Sequence, residues 1–515
     1  MIVVYHNNCC ITSVESNENK SILFDKKKNI AYGLMQLAIQ FPESLLVWCH
    51  QEYREHINLA VVPELMHHQG MMLSYNSSLI NYLGNSIGYV EDSPFINVNK
   101  KVSYPTWQMS GNVGVIQASV LITFKDKTKL DSDFDYYLNS IAKVGMPLGL
   151  FCYSEPRLVL ENNLISVVKS SNFTLFKFVK QHYKTRWVFL LLLNLIIYEF
   201  RFPFLALVYS LLFKNRNKFS LSLDNITVQL NRSVVKRATM DVIIPTIGRK
   251  NYLYDVLKDL SQQTHLPVNV IIVEQNPQVN SVSELDYLHT EKWPFAIKHI
   301  FTHQAGACNA RNLALAEVNN EWVFMADDDI RIEKNFLQKV FLLIKKEGFE
   351  QITFGCYPLK YSPKKKLMHK TQWTSFGSGC SIVKAENIKS ILYNTNFEFG
   401  YGEDADFGMQ LRNSGFDIFY SPNPEILHLQ AAIGGFRTKP TLAWHGDLIQ
   451  PKPSPTVMLY KILNLSEEQI NGYKTVLFFK FYKVQSVVNP FLYFSVFKKQ
   501  WSQSVYWANQ LKNKK

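Results

Sequence analysis

The chain is 515 residues long, 47% hydrophobic and 19% charged, which excludes a fibrous or extensively disordered protein and exceeds the usual single domain of about 100 to 200 residues. Its 55 Lys+Arg outweigh 42 Asp+Glu, a formal net charge of +13, so acidic partners are favoured: anionic lipid, nucleic acid or a phosphorylated substrate. Seven cysteines, with Cys9 and Cys10 adjacent and no CxxC pair, supply neither a zinc pattern nor an even disulfide framework, and suit a reducing compartment.

The first residues, "MIVVYHNNCC", lack a basic segment followed by a long apolar one, so no secretory signal is expected. Residues 1–160 read as a first unit, with "SLLVWCHQ" carrying a buried strand. Between 173 and 213, basic and aromatic residues give way to a strongly apolar stretch. Its uncharged part, Trp187 to Tyr198, is shorter than the roughly 20 residues needed to cross a bilayer, and Glu199, Arg201 and Pro203 interrupt its continuation. Membrane-associating helices are expected there, with a buried helix pair as the alternative. The polar, basic residues 214–239 read as a linker.

From Met240 the pattern alternates. The β-branched runs "MDVIIP" and "NVIIVE" flank "NYLYDVLKDLSQQ", whose Leu253, Val256, Leu257 and Leu260 recur at helical spacing. "IKHIF", "ARNLALAEV", "EWVFMA" and "EKNFLQKVFLLIKK" continue as strand, helix, strand and helix. Such alternation implies an α/β unit whose mostly parallel sheet is flanked by helices, with ligands outside the carboxyl ends of the strands. This unit is expected over 240–445, and a basic, aromatic helical tail over 456–515, set off by "QPKPSP".

Three acids, Asp327, Asp328 and Asp329, directly follow "EWVFMA". Adjacent carboxylates stay ionised together when a divalent cation sits between them, and hard oxygens suit magnesium or manganese. The plainer alternative is helix-start charge favoured by the macrodipole. The same two readings apply to Glu403, Asp404 and Asp406, one of which can serve as general base on a hydroxyl. In "GACNARN", Gly306, Arg311 and Asn312 stand at a helix start, where N–H groups and a guanidinium can meet a phosphate. An ordinary amphipathic helix explains that segment as well.

In order over residues 240–430, "VIIPTIGR", "VIIVEQNP", "GACNARN", "FMADDD", "FGSGCSIV" and "GYGEDADFGMQLRNSGF" resemble the family 2 glycosyltransferases of the GT-A fold. The resemblance implies inverting transfer of a single sugar from a nucleotide diphosphate sugar to a hydroxyl of a glycan or lipid-linked acceptor. It also implies a Mn2+ or Mg2+ cofactor and a place in bacterial surface polysaccharide synthesis. Matched by position, Pro245, Thr246, Arg249, Glu274, Gly306, Arg311, Asp327 and Asp328 fall on the donor side. Glu274 stands where the family usually has aspartate, which leaves the base of the nucleotide open. Asp327, Asp329 and His428 match metal positions, Gly379 and Glu403 the acceptor side, and Asp404 the catalytic base. The Gln-x-x-Arg-Trp sequence of processive members is absent, and "AAIGGFR", residues 431–437, takes that region as an expected flap. The expected location is the inner face of the cell membrane, where segments 173–213 and 456–515 meet anionic lipid; nucleic acid is not an expected partner. Two rival readings are a non-catalytic scaffold or carbohydrate-binding partner, and a sugar nucleotidylyltransferase. The second would need a glycine-rich, arginine-containing phosphate loop that "PTIGRKN" does not provide.

The first half can be laid against the second. "GLMQLAIQFPESLLVWCHQEYRE" follows the course of "NLALAEVNNEWVFMADDDIRIE", with Cys49, His50 and Gln51 on Asp327, Asp328 and Asp329. "SGNVGVIQASVL" resembles "FGSGCSIVKAEN", and "DSDFDYYLNSIAKVGMPLGLFCY" loosely resembles the acidic helix and following strand. Residues 1–160 are therefore expected to form a shortened, inactive GT-A-like domain; an unrelated α/β domain is the alternative.

Overall fold

Short apolar runs buried on both faces become the central strands of two separate sheets. The computed structural model describes residues 1–16, 21–25, 27–76, 81–160, 169–216, 223, 230, 232–360, 366–431 and 440–514. It divides into two units, Met1–Arg232 with Leu465–Phe481, and Ser233–Asn464 with Tyr482–Lys515.

In the first unit, β1 (Ile2–His6), β2 (Ile11–Ser16), β3 (Leu45–His50), β4 (Met71–Tyr75), β5 (Tyr104–Pro105), β6 (Val113–Gln117) and β7 (Phe151–Ser154) lie in the order β2-β1-β3-β6-β4-β7-β5. In the second, the strands are β8 (Met240–Thr246), β9 (Asn269–Gln275), β10 (Ala296–Thr302), β11 (Trp322–Ala326), β12 (Ile330–Arg331), β13 (Gln351–Pro358), β14 (Thr371–Gln372), β15 (Cys380–Lys384) and β16 (Phe419–His428). Their order is β10-β9-β8-β11-β15-β13-β16-β12, with β14 also on β16.

The two orders share a common part. β1 runs parallel to β3, β3 and β4 antiparallel to β6, and β4 parallel to β7. Likewise β8 runs parallel to β11, β11 and β13 antiparallel to β15, and β13 parallel to β16. Beyond β8 the second sheet continues through parallel β9 and β10, whereas beyond β1 the first has only antiparallel β2 among the described residues. The second unit's sheet is thus mixed, with its parallel half on the side expected to hold a donor.

Hydrogen bonding shifts the register expected from sequence by one residue. The His50 N–H donates to Asn112 O as the Asp327 N–H donates to Gly379 O. The Gly111 N–H donates to Asp135 Oδ1 at 2.7 Å, as the Ser378 N–H does to Asp404. These two anchors set His50, rather than Cys49, opposite Asp327. An antiparallel ladder alternates bonded and non-bonded pairs, so a one-residue slip cannot preserve them.

The helix Lys250–Ser261 buries Leu253, Val256, Leu257 and Leu260, as their spacing predicts. Helix Phe336–Glu347 buries Phe336, Leu337, Val340, Phe341 and Ile344. In the first unit, residues 173–213 form three helices, Asn172–His182, Arg186–Glu199 and Phe204–Leu211. Phe176, Phe178, Val188, Leu191 and Leu195 join that unit's core, whereas Phe200, Leu205 and Leu212 are 91%, 73% and 78% exposed. Among the described residues no helix is long and apolar enough to cross a membrane.

The C-terminal segment is divided. Helix Pro455–Asn464 belongs to the second unit, where Asn464 Nδ2 donates to Asp406 Oδ1 at 3.1 Å. The next helix, Glu467–Tyr482, lies almost wholly in the first: Gln469 Nε2 donates to the Glu91 and Ser93 carbonyls, and Thr475 Oγ1 to Asn194 Oδ1. Helix Pro490–Lys512 is again in the second unit, with Trp507 Nε1 donating to Asp447 Oδ2 at 2.6 Å.

A buried carboxylate holds the parallel half together. Asp241, on β8, accepts from Asn269 Nδ2, Asn320 Nδ2 and the N–H groups of Asn319 and Asn320 at 2.6 to 3.0 Å. It ties β9 and the turn before β11 to the central strand. Asp241→Ala leaves four donors without their acceptor and is expected to destabilise the second unit by about 3 kcal/mol. Urea unfolding of wild type and variant measures the difference.

Candidate active site

The chain leaves β11 at Ala326, and the next three side chains diverge to different donors. Asp327 Oδ1 accepts from Arg311 Nη2 at 3.2 Å. Asp328 accepts from Thr246 Oγ1 at 2.7 Å and Arg249 Nη1 at 2.6 Å. Asp329 Oδ1 lies 3.3 Å from His428 Nε2, and its Oδ2 accepts from the Ala431 N–H at 2.9 Å. The β12–β16 ladder pairs Ile330 with His428, which brings the histidine to the aspartates.

Burial pushes Asp328 up to about 6, against the pull of Arg249 and Thr246. Burial acts the same way on Asp329, but the bonds from His428 and Ala431 outweigh it and hold that carboxyl below its ordinary value. The bond to Asp329 correspondingly raises His428, against burial. One ligand atom each from Asp327, Asp329 and His428 lies within 4.8 Å of the others, the one such group of three among the described residues. Two carboxylate oxygens and an imidazole nitrogen can hold a divalent cation.

Gly379 makes room for this arrangement. A Cβ there would stand 2.0 Å from Asp327 Oδ2. At the adjoining helix Ala307–Ala316, Gly306 has φ +146°, and its Cβ would meet the Glu398 carboxyl at 2.3 Å. Glu398 accepts from the Cys308 and Asn309 N–H groups, both at 3.0 Å, and Gln275 Oε1 accepts from the Gly306 N–H at 2.6 Å. The helix-start amides that the sequence offers to a phosphate are therefore bonded to Glu398. The Arg311 guanidinium reaches Asp327.

The helix Glu403–Asn413 brings the second acidic group. Asp404 accepts from the Ser378 hydroxyl and main-chain N–H. Burial raises Asp404, while Arg311 and Ser378 oppose the rise. Burial and then the Asp404 charge push Glu403 up to about 7. Glu274, on β9, pairs with His299 Nε2 at 2.9 Å and accepts from the Glu284 N–H at 3.0 Å. Burial would raise it, but these bonds lower it overall.

A cleft of about 440 Å³ is lined by Pro245, Thr246, Arg249, Gly306, Arg311, Asp327, Asp328, Asp329, Glu403 and His428. Three other residues matched to the family's site positions do not line it: Gly379 lies against Asp327, Asp404 is bonded to Ser378, and Glu274 faces His299. Gln275, Cys308, Phe397, Glu398 and Gln430 line it without having been expected. Of the expected flap at 431–437, all but Ala431 lies outside the described residues.

Residues 241–401 match the family model described as glycosyl transferase family 2. The second unit carries a family 2 glycosyltransferase domain. The matched stretch of this domain contains Pro245 through Gly379 and ends before Glu403, Asp404 and His428. No curated protein matches the chain. Among solved structures, the glycosyltransferase domain's chain is similar to S. aureus TarS 1–349 in complex with UDP-GlcNAc, at 17% identity over 46% of this chain and 70% of that one, TM-score 0.34. It is also similar to GalNAc-T7 with UDP, GalNAc and Mn2+, at 12% identity over 47% and 50% of the two chains, TM-score 0.36. The match spans 60% of another TarS 1–349 structure and 42% of the longer TarS chain.

Gly379→Ala is expected to push the Asp327 carboxylate aside; a divalent cation held by Asp327, Asp329 and His428, probed with Mn2+, would then bind about 10- to 100-fold more weakly, the usual effect of disturbing a ligand's support. Titration calorimetry on the full chain reads this, and a melting temperature close to wild type shows that the fold survives.

Proposed function

We propose that the second unit transfers a single sugar, with inversion, from a nucleotide diphosphate sugar to a hydroxyl of a glycan or lipid-linked acceptor. The convergence of Asp327, Asp329 and His428 on one cleft, next to the Glu403–Asp404 pair, carries this reading. A cation such as Mn2+ or Mg2+, held by those three residues, would neutralise the departing diphosphate. The chain's own groups do the rest. Pro245, Thr246 and Arg249 form the donor-side wall, and the Thr246 and Arg249 bonds to Asp328 keep the strand end in shape. Arg311 offsets the Asp327 charge and the Asp404 charge together.

The acceptor oxygen attacks the anomeric carbon, its proton passes to Asp404, and the bond from that carbon to the diphosphate breaks. A raised carboxyl is a stronger base near neutral pH. Since the base works ionised, activity is expected to fall as pH drops through its pKa. The acid limb of kcat/KM should therefore lie above the ordinary carboxylate range, a direction set by burial of Asp404. A limb below that range would contradict the assignment.

Asp404→Asn is expected to lower turnover by about 10² to 10⁴, with donor binding retained in a thermal-shift assay. The first unit is proposed to be inactive, because His50, Gln51 and Glu52 stand where the second has its aspartates. The same variant therefore removes essentially all transfer by the full chain; near-normal turnover would overturn both assignments.

The enzyme is further proposed to work at the inner face of the cell membrane, in bacterial surface polysaccharide synthesis. Support comes from the exposed Phe200, Phe202, Leu205 and Leu212 on the first unit and from the net charge of +13. Exposed apolar side chains backed by cations suit an anionic lipid surface. Cosedimentation with vesicles containing phosphatidylglycerol is expected at low salt and should weaken at high salt; a protein that stays in the supernatant at low salt would contradict it.

A further inference from the structure

Asp404 does not stand alone. The Ser378 hydroxyl donates to Asp404 Oδ1, and the Tyr393 hydroxyl donates to Ser378 Oγ at 2.6 Å. Tyr393 is itself fixed from three sides. Its ring stacks on Phe407 with centroids 4.4 Å apart, Arg311 lies over it at 5.4 Å, and its main chain exchanges two 2.8 Å bonds with the Asn312 amide. Both Ser378 and Tyr393 are almost completely buried, at 1% and 2% exposure. Burial holds the phenol well above its ordinary range, so it remains a donor.

The first unit provides an internal comparison. Asp135 stands where the second unit has Asp404 and accepts the Gly111 N–H at 2.7 Å, the same main-chain contact that Ser378 makes. Gly111 has no hydroxyl. The N–H to carboxylate bond is thus common to both sheets and belongs to the fold, whereas among the described residues the pair of hydroxyls occurs only beside Asp404.

We propose that Tyr393 and Ser378 are positioning residues, a two-hydroxyl relay that orients the Asp404 carboxylate toward the acceptor hydroxyl and stabilises its ionised form. This rests on Asp404 being the base. Ser378 Oγ donates to Oδ1, so one carboxylate oxygen is held by the relay. Tyr393 directs the serine proton toward Asp404 by occupying the serine lone pair, so its effect passes through Ser378. The charged and titratable groups facing Asp404 are Arg311 and Cys308 from the helix Ala307–Ala316, Asp327 after β11, Cys380 on β15, Tyr393, and Glu403 on its own helix. None of them supplies a second neutral hydroxyl donor to Oδ1.

The test uses Ser378→Ala, Tyr393→Phe and the double variant in the full chain with Mn2+ and a turned-over nucleotide sugar. Tyr393→Phe keeps the ring, its stacking and its main-chain bonds, so it isolates the hydroxyl. Loss of a hydrogen bond to a charged group predicts that Ser378→Ala lowers kcat by about 10- to 100-fold, with donor KM within about twofold. Removing a donor from the ionised form raises its pKa, so the acid limb of kcat should move to higher pH in Ser378→Ala and, less far, in Tyr393→Phe. The Tyr393→Phe effect should vanish in the Ser378→Ala background, the signature of two groups acting in series. Wild-type kcat with an unmoved limb in both single variants, or a Tyr393→Phe loss that persists in full without Ser378, would overturn the relay. Asp404→Asn separates this from the parent assignment: if it is inactive while the hydroxyl variants are normal, only the relay fails.

Discussion

Three adjacent carboxylates at the end of one strand are the constraint on which the second unit depends. Their partners come from separate elements: Thr246 at the end of β8 with Arg249 just after it, Arg311 from the helix Ala307–Ala316, and His428 at the end of β16 with Ala431 beyond it. The sheet order makes that convergence possible. β8 lies directly beside β11, and β12 returns the chain to β16 so that Ile330 pairs with His428. Asp327 and Asp329 come together with His428, whereas Asp328 is bonded to Thr246 and Arg249.

The two units separate what the fold needs from what the chemistry needs. Both use a central strand, β3 or β11, a neighbouring antiparallel strand, and a carboxylate at a helix start bonded to a main-chain N–H. In the first unit that carboxylate is Asp135, which burial pushes up to about 6, with His50 at the strand end. In the second it is Asp404, joined by the hydroxyls of Ser378 and Tyr393 and by the aspartates. Parallel β9 and β10 extend the second sheet, and the first unit's described residues contain no counterpart to them. A sheet shortened on that edge offers less wall for a nucleotide.

The parts legible in the sequence were those with local periodicity or short spacing. Leu253, Val256, Leu257 and Leu260 face the core as their spacing required, and ten of the thirteen residues matched to the family's site positions line a single cleft. What escaped has long-range causes. Glu398 reaches the amides of Cys308 and Asn309 some ninety positions away, and an ordinary "NFEFG" gives no sign of it. Ser378 and Tyr393 are unremarkable until folding places them behind Asp404. The register of "SLLVWCHQ" was displaced by one residue because sequence similarity does not contain the alternation of bonded and non-bonded pairs. The tail at 456–515 looked uniform in composition, yet its helices divide between the two units, since which core a helix joins depends on contacts such as Gln469 to Glu91 and Asn464 to Asp406.

If the aspartates and His428 are the centre of the site, binding of a diphosphate should require the cation they hold. Calorimetric titration of a panel of nucleoside diphosphates into the full chain, with Mn2+ and then with EDTA, measures this most directly. Saturable binding of at least one diphosphate with Mn2+, lost in EDTA and in Asp329→Ala, is the predicted result. Binding of equal strength in EDTA, unchanged by Asp329→Ala, would contradict it.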